Sequence, residues 1–179
     1  MRLILIRHPR PLVTAGLCYG STDLPVAPAE LARARAALAA TLPADLPLFS
    51  SPLQRCADLA RQLPCSALCF DPRLVEMDFG RWEMRAWDDI ARAEIDAWAD
   101  DVAGYRPGGG ETVLEVASRV SAFYADVRQA GIGSAIVLCH AGTMRLLAAC
   151  HAGLAPPDMA AQAAAAPHAI AYGASITLA

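Results

Sequence analysis

The chain has 179 residues, a length that suits a single domain over residues 1–179, and 55% of them are apolar, enough for a sizeable core. The formal net charge of −3 argues against a general nucleic-acid surface. All 15 basic residues are arginine, so any anion site must use arginine or histidine. The apolar stretch over residues 134–150 is interrupted by His140 and Arg145, and we therefore expect no membrane span.

The cysteines indicate neither a disulfide framework nor a metal site. The apolar run after Arg2 is too short for a secretory signal, so we expect a cytoplasmic protein with reduced thiols. Cys65 and Cys69 lack a second pair at ligand spacing, and we expect no metal and no cofactor. Most cysteines are interpreted as small apolar side chains. The sequence leaves open whether the chain forms a homo-oligomer.

The first half of the chain alternates short apolar runs with helical patterns. In chain order we predict a strand over 2–7, a loop over 12–27, a helix from Pro28, a strand over 47–50, a helix over 52–63 and a strand over 66–70. Pro28 suits the first turn of its helix. In the helix over 52–63, Ser51 is the predicted N-cap and Pro52 the first helical residue.

The second half continues the same alternation. We predict irregular structure over 71–85, a helix over 86–100, a glycine-rich turn, a helix over 111–130, a strand over 134–139, a helix over 142–152, an alanine-rich helix after Pro156-Pro157 and a strand over 170–178. The pattern predicts a three-layer α/β/α sandwich with a mostly parallel central sheet. In such folds, ligands bind beyond the carboxyl ends of the strands.

Three predicted strand ends carry similar chemistry. The first ends in Arg7 and His8, the second leads to Arg55, and the strand over 134–139 is followed by His140. Ala141, next to His140, opens a helix whose N-terminal N–H groups can bind an anion. Two guanidinium groups, two imidazoles and a helix N-terminus together favour a site for a dianionic phosphoryl group.

A histidine at such a site can do more than bind. A neutral imidazole with one nitrogen held by a backbone acceptor presents the other nitrogen as a nucleophile toward phosphorus. A leaving alkoxide also needs a proton, and Glu76, Asp78 and Glu83 are the nearby carboxyl groups. His151 and His168 are interpreted as structural residues. The run "PGGGE" lacks the Gly-Lys-Ser/Thr of a Walker loop and is interpreted as a turn before a helix that starts at Glu111.

The motifs "LIRH", "SSPLQRC", "EMDFGRWEM", "GGGET" and "LCHAGTMRLL" resemble, in order, the blocks of the histidine phosphatase superfamily, which includes the phosphoglycerate mutases. The resemblance covers nearly the whole chain and implies a phosphoglycerate mutase-like fold. It implies that His8 is the phosphorylated nucleophile and that Arg7, Arg55 and His140 bind phosphate. Glu76 resembles the family acid, because it lies three residues before the Phe-Gly pair; Asp78 and Glu83 fit that role less well.

Within the superfamily, "GLCYGSTDLPVA" and "EMDFGRWEMR" resemble α-ribazole phosphatases, which remove a 5′-phosphate late in cobalamin assembly. The resemblance implies a phosphoric monoester hydrolase that acts on a small phosphomonoester through a phosphohistidine. The alternatives are a broad-specificity small-molecule phosphatase, a phosphomutase on the same residues, and a non-catalytic module that binds phosphorylated ligands.

One position departs from the family pattern. Pro9 replaces the usual glycine after the nucleophile, so position 9 has no backbone N–H to give to phosphate. We expect the substrate walls to come from residues 10–22 and 79–112, where Trp82, Trp87 and Tyr105 could stack on a flat base, although aromatic residues at helical spacing more often belong to a core. The candidate substrate contacts are Arg10, Tyr19, Gly20, Ser21, Trp82 and Glu111.

Overall fold

The computed structural model describes residues 1–165 and 169–179. Its strands are β1 (Arg2–Arg7), β2 (Pro47–Ser50), β3 (Ala67–Phe70), β4 (Ser134–Cys139) and β5 (Ser175–Leu178). Within the described residues they form one sheet in the order β3-β2-β4-β1-β5. All neighbouring strands are parallel except β1 and β5, which are antiparallel. The predicted mostly parallel sheet is confirmed.

Helices cover both faces of the sheet. The helices of the described residues are α1 (Pro28–Ala39), α2 (Gln54–Ala60), α3 (Arg92–Asp100), α4 (Val113–Gln129), α5 (Ala141–His151) and α6 (Pro156–Ala164), of which α3 packs beside Trp82 rather than on the sheet. Side chains of β1 alternate between the faces: Leu3 and Leu5 pack with α4, α5 and α6, whereas Ile4 and Ile6 pack with α1 and α2. The three-layer prediction is thus confirmed, and each such buried side chain stabilises the fold by about 1.5–3 kcal/mol.

The second helix begins later than predicted. α2 starts at Gln54 and not at Pro52. The Ser51 hydroxyl lies 2.9 Å from His140 Nε2 and accepts weakly from the Leu53 N–H at 3.4 Å, and the N-cap is Leu53, so Ser51 is not the N-cap. The Gln54 N–H donates instead to Asp23 Oδ1 at 2.7 Å, and a distant carboxylate therefore satisfies this helix terminus.

The fourth helix also begins later than predicted. α4 starts at Val113, and its N-cap is Thr112. The Glu115 N–H donates to Thr112 Oγ1 at 3.0 Å, and the Thr112 N–H donates to Glu115 Oε2 at 2.9 Å. This capping box fixes the start of the helix, so the prediction that Glu111 is its first residue is wrong.

Two further predicted elements are shorter than expected. The helix predicted over 86–100 is a 3₁₀ turn at Trp87–Asp89 followed by α3, and the strand predicted from residue 170 begins only at Ser175. Before β5 the chain turns at Gly173, which has a φ of 71° and whose N–H donates to the Arg7 carbonyl at 3.1 Å. The expected structural role of His168 lies outside the described residues.

The "PGGGE" run has a packing role. It forms a tight turn at Pro107–Gly109 whose backbone lies directly on the backbone of residues 78–82. A Cβ at Gly108 would lie 2.2 Å from the Phe79 carbonyl oxygen, and one at Gly110 would lie 2.2 Å from the Asp78 carbonyl oxygen. Only glycine permits this approach, which anchors the segment that follows Glu76.

All six cysteines lie within the described residues, and each is a free thiol. Burial raises the pKa of the buried thiols Cys56 and Cys139 well above the ordinary value. Such thiols are poor nucleophiles, which agrees with their interpretation as small apolar side chains. Over residues 1–165 and 169–179, none of the helices combines the length and apolar character needed to cross a bilayer.

Candidate active site

The carboxyl ends of the three central strands meet at one edge of the sheet. Arg7, the last residue of β1, is in register with Cys139, the last residue of β4. The next residues, His8 and His140, therefore emerge side by side, and the His8 N–H donates to the Cys139 carbonyl at 3.0 Å. Their rings are 5.0 Å apart between centroids. The sheet register thus produces the histidine pair expected from the sequence.

A backbone carbonyl orients the His8 ring. Nδ1 of His8 lies 2.7 Å from the carbonyl oxygen of Pro9. A carbonyl can only accept, so Nδ1 carries the proton and Nε2 keeps its lone pair. Burial and the Arg55 and Arg7 charges lower the pKa of His8 to about 3, against the raising effect of the Pro9 carbonyl. Pro9 thus lacks an N–H for phosphate but orients the His8 ring through its carbonyl.

His140 is fully buried behind His8. Its Nδ1 accepts from Arg55 Nε at 3.3 Å, which leaves Nε2 as the protonated nitrogen that donates to Ser51 Oγ at 2.9 Å. Burial first, then the neighbouring His8 and the arginine charges, lowers the pKa of His140 well below its ordinary value. His140 is therefore a neutral ring that connects Arg55 to the strand ends.

Arg55 is a buried cation held by neutral acceptors. Its side chain has 0% exposure, and Nη1 donates to the Thr22 carbonyl at 2.7 Å while Nη2 donates to the Gly20 carbonyl. The third acceptor is the neutral imidazole of His140. A buried charge needs a counter-charge as well as hydrogen bonds, and the phosphoryl group expected from the sequence would supply one.

Arg7 is held by a segment that the sequence did not connect with the site. Its Nη1 donates to the Ile170 carbonyl, and its guanidinium carbon lies 3.8 Å from the centroid of the Tyr172 ring. Tyr172 also lies against His8, at 5.5 Å between centroids, and its hydroxyl is 2.6 Å from that of Tyr19. The Arg7 Nε is buried and has no hydrogen-bond partner among the described residues, so the guanidinium has unused donor capacity.

Of the three candidate carboxyl groups, Glu76 is the one that lines the cavity of the site. Its Oε2 accepts from the Gly142 N–H in the first turn of α5 at 3.1 Å, and its Oε1 accepts from the Met77 N–H at 3.0 Å. Asp78 instead accepts from the Gly80 N–H at 2.7 Å, within its own turn. The predicted anion site at the start of α5 is thus partly occupied by Glu76 itself.

These residues line a cavity of about 400 Å³ with two kinds of surface. The polar floor, as we name it, consists of Arg7, His8, Arg55, Glu76, Ala141 and Gly142. The apolar wall consists of Leu17, Phe79, Trp87, Trp98, Val102 and Val113. Trp87 and Trp98 are nearly parallel, with an interplanar angle of 6° and 6.1 Å between centroids. The cavity therefore combines an anion site with flat aromatic surfaces.

The predicted substrate contacts divide into those at the cavity and those engaged elsewhere. Tyr19 lines the cavity, whereas Gly20 and Ser21 belong to the loop that holds Arg55. Arg10 lies in a neighbouring cavity with Arg33 and Tyr172.

Two of these predictions are corrected by the structure. Trp82 is fully buried, and its Nε1 donates to Glu94 Oε2 at 2.7 Å, so it cannot stack on a substrate. Glu111 forms an ion pair with Arg119 at 2.9 Å and accepts from the Asp78 N–H at 3.0 Å, which ties α4 to the segment after Glu76. Tyr105 packs beside Trp82 and does not line the cavity. The expected aromatic surface is provided instead by Trp87, as predicted, and by Trp98, which the sequence did not single out.

His151 has the structural contacts expected of it. Its Nδ1 lies 3.1 Å from the Tyr124 hydroxyl, and its Nε2 lies 3.1 Å from the carbonyl oxygen of Ala179. Among the described residues, no group of three or more histidine, cysteine or acidic side chains is arranged to hold a metal ion. Independence from metal ions stays a prediction.

The fold and the paired histidine and arginine groups are those of a phosphoryl-handling α/β enzyme, and comparison with known proteins agrees. The model of the histidine phosphatase superfamily (branch 1) matches residues 3–171. The chain belongs to this superfamily. No curated protein matches it in sequence.

Solved structures with the same fold include phosphatases. A candidate α-ribazole-5′-P phosphatase from Escherichia coli is 28% identical, with a TM-score of 0.79 over 99% of this chain and 89% of that one. The protein TTHB049 from Thermus thermophilus is 27% identical, with a TM-score of 0.76 over 99% and 93%. A mycobacterial glucosyl-3-phosphoglycerate phosphatase is 26% identical, with a TM-score of 0.74 over 89% and 83%.

Proposed function

We propose that the chain is a phosphoric monoester hydrolase that forms a phosphohistidine at His8. The observation that carries this proposal is the state of the His8 ring. The Pro9 carbonyl holds Nδ1, so the unprotonated Nε2 is available beside Arg7 and Arg55. A neutral imidazole next to two cations is suited to attack a phosphoryl group whose charge would otherwise repel a nucleophile.

In the first half of the reaction, His8 Nε2 attacks phosphorus and the bond from phosphorus to the ester oxygen breaks. Glu76, in its protonated form, donates its proton to the leaving alkoxide and becomes a carboxylate. Arg7 and Arg55 bind the phosphoryl oxygens as charge moves toward the leaving group. The products of this half are the free alcohol and a phosphohistidine.

In the second half, the Glu76 carboxylate takes a proton from water as the water oxygen attacks phosphorus. The bond from phosphorus to His8 Nε2 breaks, inorganic phosphate leaves, and both residues return to their starting states. The N–H groups of Gly142 and Met77 both donate to the Glu76 oxygens, so they hold the carboxyl group in position in both halves of the reaction. Hydrolysis differs from a mutase reaction only in the acceptor, which is water.

The proposed substrate is α-ribazole 5′-phosphate, an intermediate of cobalamin assembly. A phosphate on the polar floor leaves the aromatic base of this substrate next to the apolar wall, where Trp87 and Trp98 offer flat surfaces. The likeness to the candidate α-ribazole-5′-P phosphatase from Escherichia coli supports this choice of substrate. A cytoplasmic setting is part of the proposal, since the six free thiols suit a reducing compartment.

The test is a panel of phosphomonoesters compared by kcat/KM, with inorganic phosphate release as the readout and chelator present throughout. The panel contains α-ribazole 5′-phosphate, glucosyl-3-phosphoglycerate and glycerol 1-phosphate. We expect α-ribazole 5′-phosphate to give the highest kcat/KM by at least about tenfold. A higher kcat/KM for either other ester would refute the substrate assignment. Conversion of 3-phosphoglycerate to its isomer with a bisphosphate primer would show a mutase instead.

A further inference from the structure

Glu83 has the most extensively bonded carboxylate near the site, although it does not line the cavity. Its Oε1 accepts from the N–H of Ser21 at 2.9 Å, from the Ser21 hydroxyl at 3.0 Å and from the Phe79 N–H at 3.0 Å. Its Oε2 accepts from the Thr22 N–H at 2.6 Å and from the Thr22 hydroxyl. These donors hold the carboxylate against the loop formed by residues 20–22.

The same loop holds Arg55 from the other side. Its N–H groups point to Glu83, whereas the carbonyl oxygens of Gly20 and Thr22 accept from the two terminal nitrogens of Arg55. The Gly20–Ser21 peptide therefore lies between the two side chains, with its N–H toward the carboxylate and its C=O toward the guanidinium. This alignment stabilises both charges across a single layer of backbone.

The loop has little room to adjust. A Cβ at Gly20 would lie 1.9 Å from the Met77 carbonyl oxygen and 3.0 Å from Glu83 Oε1. The loop is thus in direct backbone contact with the segment that carries Glu76. A shift of the loop must move the carbonyls that orient Arg55 or disturb this contact.

Glu83 is ionised under ordinary conditions. Burial raises the pKa of its carboxyl, but the hydrogen bonds from Thr22, Phe79 and Ser21 lower it, and the net pKa lies below the ordinary value. A carboxylate can accept from all these donors at once. In a neutral amide at the same position, the NH₂ group faces N–H and O–H donors, so these hydrogen bonds are lost and donors face each other.

We propose that Glu83 is a positioning residue for the reaction: through the backbone of residues 20–22, it fixes Arg55 in the orientation that binds the phosphoryl group. The proposal rests on the proposed function for its kinetic consequence, but its structural part concerns phosphate binding alone. It assigns to Glu83 a role different from the proton donor considered on sequence grounds, because both of its oxygens already accept hydrogen bonds from the loop and from the Phe79 N–H.

The test is a double-mutant cycle of Glu83→Gln and Arg55→Ala, measured as kcat/KM and as calorimetric affinity for inorganic phosphate. Glu83→Gln alone is expected to lower kcat/KM by about 10²-fold, the scale of a small misplacement of a catalytic group. In the Arg55→Ala background, the same change is expected to cost less than about twofold, because its effect passes through Arg55. Equal losses in both backgrounds would overturn the proposal, as would a folded Glu83→Gln variant with unchanged phosphate affinity.

Two variants complete the design. Glu94→Gln is the matched control: Glu94 bonds Trp82 and Arg81 in the same turn but does not touch residues 20–22, and we expect wild-type values. Thr22→Val removes one hydroxyl donor to Glu83, and it replaces Glu83→Gln in the cycle if that variant does not fold. Thr22→Val is expected to lower kcat/KM less than Glu83→Gln does, and this smaller loss of kcat/KM must also disappear in the Arg55→Ala background. The calorimetric arm needs no turnover, so it judges Glu83 even if no ester in the panel is hydrolysed.

Discussion

The polar floor and the apolar wall are built in different ways. Apart from Glu76, the floor comes from the ends of β1, β2 and β4; His8 and Arg55 are at most 2% exposed, and defined partners hold both of their side chains. The wall comes mainly from residues 79–102, where short 3₁₀ turns and α3 have few buried residues. Met84 in this segment has a φ of 63°, which is unfavourable for a side chain other than glycine. Under the proposed function, we therefore expect the floor to carry the chemistry and the wall to select the substrate.

The largest expected effect is at the floor. Glu76→Gln removes the proton donor, so kcat for an alkyl ester is expected to fall by about 10²–10⁴-fold. For p-nitrophenyl phosphate, whose leaving group needs no proton, the fall in the first step is expected to be much smaller. Burst kinetics with both esters measure this difference. Wild-type rates with the alkyl ester would exclude Glu76 as the acid.

A second substitution tests whether the floor requires a fixed Glu76. A Cβ at Gly142 would lie 2.6 Å from Glu76 Oε1, so Gly142→Ala must displace the carboxyl group. We expect kcat to fall by about 10²-fold on every ester in the panel. Gly133→Ala is the control, since a Cβ there has no atom within 4 Å. Similar kinetics for the two variants would show that the position of Glu76 is not critical.

The buried His8 of the floor predicts an acid-sensitive fold. The pKa of His8 is about 3 in the folded chain and close to 6.5 when unfolded, so between these values the unfolded state binds more protons. Stability is therefore lost as pH falls from about 6.5 toward 3, with a slope of at most about 1.4 kcal/mol per pH unit from this residue. Urea unfolding at pH 7 and pH 5 should show a smaller loss for His8→Asn than for the wild type. Equal losses would mean that His8 does not titrate as described.

The smallest expected effect is at the wall, and it should depend on the substrate. Trp87→Ala is expected to lower kcat/KM for α-ribazole 5′-phosphate by about tenfold through lost aromatic contact, and to leave glycerol 1-phosphate unchanged. Phe70→Ala on β3 is the matched control, because Phe70 is 37% exposed and Trp87 is 38% exposed. An equal loss of kcat/KM on both esters would show that the wall does not determine substrate choice.

Most of the site was predictable because its histidines and arginines lie at or just after the ends of short, clearly bounded apolar strands. Arg7, His8, Arg55 and His140 were located from this pattern, and the sheet register then brings the two histidines together. Ser51 shows a limit: a serine before a helical pattern is typical of an N-cap, yet its hydroxyl is bound to a histidine 89 positions away. The local sequence pattern does not reveal that a residue far along the chain binds the same hydroxyl group.

The wall was less predictable, because its residues lie in turns without periodicity. Trp82 and Trp87 are five positions apart in the same segment, yet the first is fully buried and the second is at the cavity. Tyr172 was missed because its contacts with Arg7 and His8 join opposite ends of the chain. These positions depend on how the segment over 78–82 is packed against the glycines at 107–110, which is a tertiary effect.

The central claim is that His8 carries the phosphoryl group during turnover. The most direct measurement is an alkaline quench of the enzyme during single turnover of phosphorus-32-labelled α-ribazole 5′-phosphate, followed by peptide mapping. We predict label on the peptide that contains His8, formed and lost at rates that account for phosphate release, and none in His8→Ala, which should also lack activity. Phosphate release without label at His8, or full activity of His8→Ala, would contradict the account.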